Sequence, residues 1–262
     1  MTYLERLRPT EGAKVLVTAG ASGIGAAVAS AFLEVGARVA VCDVDEAALD
    51  RFCRENPRAL RFVTDVSDAA AVDNMFETLE QEFDGLDVLV NNAGIPGPTG
   101  NVDEIALDDI RRTLDVDLLG QFIVIRRAMK LIKKSAGASI INMSSVAGRL
   151  GYAMRSSYSA SKWGIVGMTA SLAKELGPAG IRVNAILPGV VRGKRMDGVI
   201  QARADAEGLT FAEVEKEYVS HISLRRMVGP EDVAGTALFL SSPAAANISG
   251  QAISVCGNVE TI

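Results

Sequence analysis

The segment running from Ala13 to Asp43, AKVLVTAGASGIGAAVASAFLEVGARVAVCD, decides how this chain folds. It starts with an apolar run over 13–17, turns through Thr18-Ala-Gly-Ala-Ser-Gly-Ile-Gly25, and continues as a helical pattern over 23–35. A second apolar run over 38–42 closes on Asp43. Small residues between a strand and a helix let backbone N–H groups approach a pyrophosphate, and the helix N-terminus favours its charge. Gly20, Ser22, Gly23, Ile24 and Gly25 are therefore candidate binders of a dinucleotide. Asp43 follows Gly25 by 18 residues, at the end of the second strand, where a carboxylate grips an adenosine ribose. A carboxylate accepts hydrogen bonds from a free 2′-hydroxyl and repels a 2′-phosphate. No Arg or Lys directly follows Asp43, so the expected cofactor is NAD rather than NADP. The other reading of Asp43 is a helix N-cap or turn residue.

The same alternation continues outward. Apolar runs at 60–63, 88–90, 139–143, 182–187 and 252–255 read as further strands. Helical patterns occupy 45–55, 68–83, 105–134, 157–176 and 230–242. Strands that are apolar throughout imply a parallel sheet covered by helices on both faces. No Pro/Gly/Ser linker divides the 262 residues, which predicts one α/β domain over 1–262, interrupted by a polar stretch at about 193–220. A net charge of −5 with no basic stripe argues against nucleic acid and anionic membranes as partners. No apolar run reaches the ~18 residues a membrane span requires, and the start MTYLERLRPTEG lacks a signal-peptide core. Cys42, Cys53 and Cys256 are odd in number and sit in apolar company, as reduced thiols of a cytoplasmic protein do. The single histidine, His221, leaves no room for a His-based triad or a His-rich metal site, and no metal is expected.

Chemistry concentrates in residues 144–162, SSVAGRLGYAMRSSYSASK. Tyr158 and Lys162 are four apart, so on a helix they share a face. A phenol titrates near ~10, and an ammonium beside it favours the phenolate, which makes it a usable acid or base. Ser145 ends the apolar run at 139–143 and can face that helix, adding a second donor for a carbonyl oxygen. Alone, a tyrosine and lysine at this spacing are more often a half-buried aromatic and a solvated charge; the surrounding motifs decide between the readings.

Taken together, these motifs resemble the short-chain dehydrogenase/reductase family over nearly the whole chain. The glycine turn matches the family's TGxxxGIG except for Ala19. Asp65-Val66 matches the pair that brackets the adenine, and Asn91-Asn92-Ala93-Gly94 matches the NNAG segment beside the cofactor. Ser145, Tyr158 and Lys162 match the catalytic serine and YxxxK. Pro188-Gly189, with Val191 beyond it, matches the turn next to the nicotinamide. The resemblance implies a single Rossmann-type domain, a doubly wound parallel sheet of about seven strands. It also implies interconversion of a secondary alcohol and a ketone with NAD, Tyr158 acting as general acid/base. Asp117 stands where the family has the asparagine of its catalytic tetrad, whose backbone carbonyl holds a water of the proton relay. Gly193 replaces a frequent threonine, and a positive φ at Ala19 would be strained.

The stretch at 193–220 corresponds to the family's variable substrate lid. Arg192, Lys194 and Arg195 at its base, with Arg155 in the loop that forms the opposite wall in relatives, would attract an anionic alcohol or ketone; the other reading is side chains that point to solvent or bind a cofactor phosphate. The helices at 105–134 and 157–176 carry surplus apolar surface, and relatives pair them across a two-fold axis, so a homotetramer is expected. An NADPH-dependent 3-ketoacyl reductase and a non-catalytic dinucleotide sensor or scaffold are the alternative functions. Asp43 opposes the first, and the presence of both Tyr158 and Lys162 opposes the second.

Overall fold

A computed structural model describes residues 2–259. The chain forms a short α1 (Tyr3–Arg6), then β1 (Lys14–Thr18), α2 (Gly23–Glu34), β2 (Arg38–Asp43), α3 (Glu46–Glu55), β3 (Leu60–Val63), α4 (Ala69–Glu82) and β4 (Val88–Asn91). The second half adds α5 (Leu107–Leu114), α6 (Gly120–Ile132), β5 (Ser139–Met143), α7 (Ser156–Leu176), β6 (Arg182–Pro188), α8 (Lys194–Glu207), α9 (Phe211–Ser220), α10 (Pro230–Ser241) and β7 (Ala252–Val255). All seven strands run parallel in the order β3-β2-β1-β4-β5-β6-β7. Val15 pairs with Val39 on one side and Val88 on the other. The order therefore reverses direction at β1.

Both faces of the sheet are dry. On one, Leu16, Leu89, Ile140 and Val183 meet Phe76 and Leu79 of α4, Val124 and Leu131 of α6, and Ile165 of α7. On the other, Val15, Val41, Val90 and Ile186 meet Val28 and Phe32 of α2, Leu49 of α3, and Val233 and Leu240 of α10. Removing a side chain such as Phe76 or Phe32 would cost about 3–5 kcal/mol, because the surroundings relax only partly around the cavity. No helix among the described residues is long and apolar enough to cross a membrane.

The structure departs from the sequence expectation over 105–134. The single helix expected over 105–134 is broken by a π turn at Asp115–Leu119, between α5 and α6. A π turn inserts one residue into the helical repeat and rotates the side chains that follow it; Val116 and Asp117 lie buried there. The polar stretch after β6 is the pair α8–α9, which closes on its own small core of Ile200, Ala204 and Val214 with Phe211 and Tyr218 against it. Its charges are solvated: Arg203 pairs with Glu207 at 2.8 Å and with Glu217 at 2.9 Å.

Ala19 adopts φ 48°, the left-handed region in which a Cβ is crowded. We expect Ala19→Gly to stabilise the protein by about 1 kcal/mol, the released strain exceeding glycine's greater freedom in the unfolded chain. Urea unfolding of the two proteins checks this, and an equal or lower midpoint for the variant would contradict it.

Candidate active site

Ligands of open α/β sheets bind beyond the carboxyl ends of the strands, where the strand order reverses. Here that point lies between β1 and β4, and it is tied together. The Thr18 hydroxyl accepts from the Asn92 N–H at 2.9 Å and the Ala93 N–H at 3.0 Å. The Asn92 amide donates back to the carbonyls of Thr18 and Ala19, both at 3.1 Å. Two glycines of the turn are packed too tightly for a side chain. A Cβ on Gly25 would stand 2.0 Å from the Ala19 carbonyl oxygen, and one on Gly20 would stand 2.7 Å from Val41. Ser22 is the N-cap of α2, yet its exposed hydroxyl makes no capping bond. The first N–H groups of α2 thus have no side-chain partner from the cap, and the cradle fits a pyrophosphate.

Asp43 ends β2 at the rim of this crevice. Its carboxylate accepts from the N–H groups of Ala21 at 3.3 Å and Asp45 at 3.1 Å. It is not a helix cap: Asp45 caps α3, accepting from the Ala48 N–H at 2.9 Å. Asp65 lies further along the rim, with Val66 buried beside it. Burial acts to raise the Asp65 pKa, but the Ser67 hydroxyl and N–H, and then the Arg112 guanidinium, outweigh it and hold the carboxyl below its ordinary range. Arg112, on α5, carried no motif that a sequence could reveal. Burial pushes the Cys42 thiol up to about 12 despite a hydrogen bond involving the Ala19 backbone, so it sits beneath the turn as an inert apolar group. On the far side, Pro188 ends β6, and a Cβ on Gly189 would meet that of Cys256 at 2.7 Å. Val191 bridges to Val228, which fixes the path from β6 into α8.

The catalytic candidates gather at the ends of β5 and the start of α7. Ser145 is extended, and its hydroxyl accepts from the Ala147 N–H at 3.2 Å, starting a tight turn over Val146–Gly148. Hydroxyls bind this turn to α7: Ser144 donates to the Lys162 carbonyl at 2.8 Å, and Ser159 to the carbonyls of Ala147 and Leu150. These bonds set the register of Ser145 against the helix carrying Tyr158 and Lys162. The Lys162 ammonium is almost fully buried and lies 5.4 Å from the Tyr158 ring centroid. It also donates to the Met143 carbonyl at 3.4 Å.

Three further features were not evident from sequence. Tyr152 is half-buried in the wall; burial, and then the neighbouring Tyr158 and Tyr218, push its phenol up against the opposing pull of Arg155. Gly94 packs against the Lys162 ammonium: a Cβ there would stand 3.1 Å from Nζ. Arg192, expected in the anion cluster, is instead paired with Glu231 at 3.3 Å. Arg155 and Arg195 do reach the site, bonding the carbonyls of Pro96 and Gly94.

Residues 18–258 match a family model described as enoyl-(acyl carrier protein) reductase. The sorbitol dehydrogenase of Cereibacter sphaeroides is 36% identical, over 94% of this chain and 97% of its own. A crystal structure of a mutant actinorhodin polyketide ketoreductase with NADPH superposes with a TM-score of 0.91 at 30% identity, covering 96% and 98% of the two chains. An NAD+-bound xylitol dehydrogenase does so at 0.89 and 26%, covering 95% and 99%. The chain belongs to the short-chain dehydrogenase/reductase family. It is an oxidoreductase with a dinucleotide-binding fold.

Within that family fold, Asp117 is a distinctive residue. It has no exposed surface, and one oxygen lies 3.2 Å from the Lys162 ammonium. Its other oxygen accepts from the Ile95 N–H at 2.7 Å, while the Ser161 hydroxyl approaches the lysine-facing oxygen at 3.4 Å. The π turn thus delivers a carboxylate, not only a backbone, to the lysine. Removing one member of a buried pair leaves the other charge uncompensated. Asp117→Ala is expected to lose about 3–5 kcal/mol of stability for that reason. Asp117→Asn keeps an acceptor for Ile95 and is expected to lose less than about tenfold in turnover, because a substituted amide preserves the backbone path. Denaturant unfolding and steady-state kinetics read the two effects; an Asp117→Ala protein as stable as wild type would refute the pairing.

Proposed function

We propose that this short-chain dehydrogenase/reductase interconverts a secondary alcohol and a ketone with NAD. The observation that carries the reading is the placement of Ser145, Tyr158 and Lys162 on one side of a crevice whose other end is guarded by Asp43. In oxidation Tyr158 takes the proton from the substrate hydroxyl, and Ser145 donates a hydrogen bond to the oxygen on which charge develops. Lys162 places positive charge beside the phenol and would hold the nicotinamide ribose. When bound, the nicotinamide supplies hydride exchange; the protein supplies position and proton control. The pyrophosphate belongs on the turn of Gly20, Ser22, Gly23, Ile24 and Gly25, and the ribose at Asp43. The adenine belongs beside Asp65 and Val66, the nicotinamide between Asn92-Ala93-Gly94 and Pro188-Gly189-Val191.

NAD is favoured because Asp43, which would hold the ribose, is fixed by the N–H groups of Ala21 and Asp45, and among the described residues no cation is bonded to it. We expect at least about tenfold higher kcat/KM with NAD, since a 2′-phosphate against that carboxylate costs more than the ~1.4 kcal/mol a factor of ten represents. Tyr158→Phe should lower turnover by about a hundredfold or more while NAD still binds. Reduced-nicotinamide absorbance over a panel of secondary alcohols measures both. Equal use of NADP would favour the NADPH-dependent reductase instead. A Tyr158→Phe enzyme at wild-type rate would remove the mechanism, and cofactor binding without turnover of any alcohol or ketone would point to a sensor or scaffold.

The assembly we infer is a homotetramer in closed symmetry. Leu119, Phe122 and Trp163 are large apolar side chains left 48%, 43% and 52% exposed on the π turn, α6 and α7. Such a patch on neighbouring helices is the surface a partner subunit would cover. The free cysteines are in keeping with a cytoplasmic enzyme. Light scattering should return four times the 27.6 kDa chain mass, and Trp163→Glu should shift it downward. A single-chain mass for the wild type would exclude the assembly.

A further inference from the structure

We propose that Arg155 and Arg195 form a carboxylate-binding subsite, so that the substrate is a secondary hydroxy acid or the corresponding keto acid. The proposal rests on the reading of Tyr158 as the group that handles the carbinol. The two arginines come from opposite walls, Arg155 just before α7 and Arg195 in the first turn of α8. They converge on one three-residue loop: Arg155 donates to the Pro96 carbonyl at 2.7 Å and Arg195 to the Gly94 carbonyl at 3.3 Å. That loop is immobilised from beneath, because Asp117 accepts from the Ile95 N–H and Gly94 packs against Lys162. The guanidiniums therefore have defined positions at the mouth of the site.

Neither arginine is neutralised. Among the described residues, Arg192 is paired with Glu231, Arg112 with Asp65 and Arg203 with Glu207 and Glu217, whereas Arg155 and Arg195 meet no carboxylate. Arg149, in the same loop as Arg155, is committed to Ser254 and the Ala252 carbonyl of β7. The Arg155 Nε is enclosed without an acceptor, so the protein alone leaves this guanidinium incompletely satisfied. Both cations bond carbonyls of one short loop in a chain of net charge −5, and guanidinium N–H groups make charge-assisted hydrogen bonds to carboxylate oxygens.

The position relative to the chemistry is also given. The Arg155 guanidinium lies over the Tyr158 ring, 4.7 Å from its centroid. A carboxylate meeting its remaining donor, Nη1, would lie beside the phenol whose hydroxyl meets the carbinol, within the span of one small molecule. Arg195 reaches the same loop from the first turn of α8, which follows Gly193 at φ 140°. An anion bridging the two would hold the lid base against the loop after β4.

The test uses the full chain with NAD and two secondary hydroxy acids, 3-hydroxybutyrate and 4-hydroxycyclohexanecarboxylate, each against its methyl ester. We expect kcat/KM for at least one acid to exceed that of its ester by about tenfold or more, and the ratio to fall with added salt. Arg155→Met and Arg195→Met should each bring the ratio to within about threefold of unity, with NAD affinity, read by fluorescence titration, changed by less than about twofold. Arg155→Lys keeps a charge without the guanidinium N–H groups and should give an intermediate ratio; it carries the test if Arg155→Met does not fold. Turnover of neutral alcohols with acid and ester ratios near one overturns the subsite and leaves the dehydrogenase standing. Loss of NAD affinity in Arg195→Met with an unchanged ratio would overturn Arg195's part and assign it to a cofactor phosphate. Failure of every secondary alcohol, acid or neutral, would instead overturn the reading on which the proposal rests.

Discussion

The structure depends on what happens between β1 and β4. These strands are neighbours in the sheet but far apart in the chain, and the crossovers leave them on opposite sides. A crevice opens at their carboxyl ends because no helix can cover the reversal. Thr18 and Asn92 keep that crevice a fixed width by exchanging hydrogen bonds across it. The same bonds hold the Ala19 carbonyl against Gly25, where even a methyl group would not fit. Ala19 itself is strained at φ 48°, a local cost that the surrounding contacts outweigh.

A second constraint governs the chemical end of the crevice. The buried Lys162 ammonium has an opposite charge 3.2 Å away in Asp117, itself fully buried. Desolvating both charges is expensive, so the pair is retained at a cost that hydrogen bonds to Ile95 and Ser161 reduce. What the arrangement provides is position. Loop 94–96, the π turn and α7 are pinned at one point, and the ammonium is held within reach of the Tyr158 ring. Arg195, in the first turn of α8, and Arg155, just before α7, then bond carbonyls of that same loop.

Many functions share this kind of sheet, and the fold alone selects none of them. The groups gathered at the carboxyl edge are the Asp43 carboxylate, the side chains of Ser145, Tyr158 and Lys162, and two guanidiniums that meet no carboxylate among the described residues. Polyol and polyketide enzymes superpose on the chain almost equally well. Their shared architecture supplies the dinucleotide crevice, while side chains on the loops after β4, β5 and β6 decide what enters it.

Much was legible from sequence because it is local. Period, apolar runs and the glycine turn determined the seven strands to within a residue or so, since the central strands are mostly apolar along their length and are bounded by polar or glycine-rich turns. The spacing of Tyr158 and Lys162 determined that they share a helix face, and the place of Asp43 at a strand end determined its position on the rim. The pattern at 105–134 could not reveal its break, because a π turn inserts one residue without changing composition. Only tertiary structure decided that Asp117 turns inward onto Lys162, that Arg192 is taken by Glu231 while Arg155 and Arg195 stay unpaired, and that Arg112 clasps Asp65. Those outcomes depend on which distant side chains share a few ångströms of space, and sequence separation holds no record of that distance.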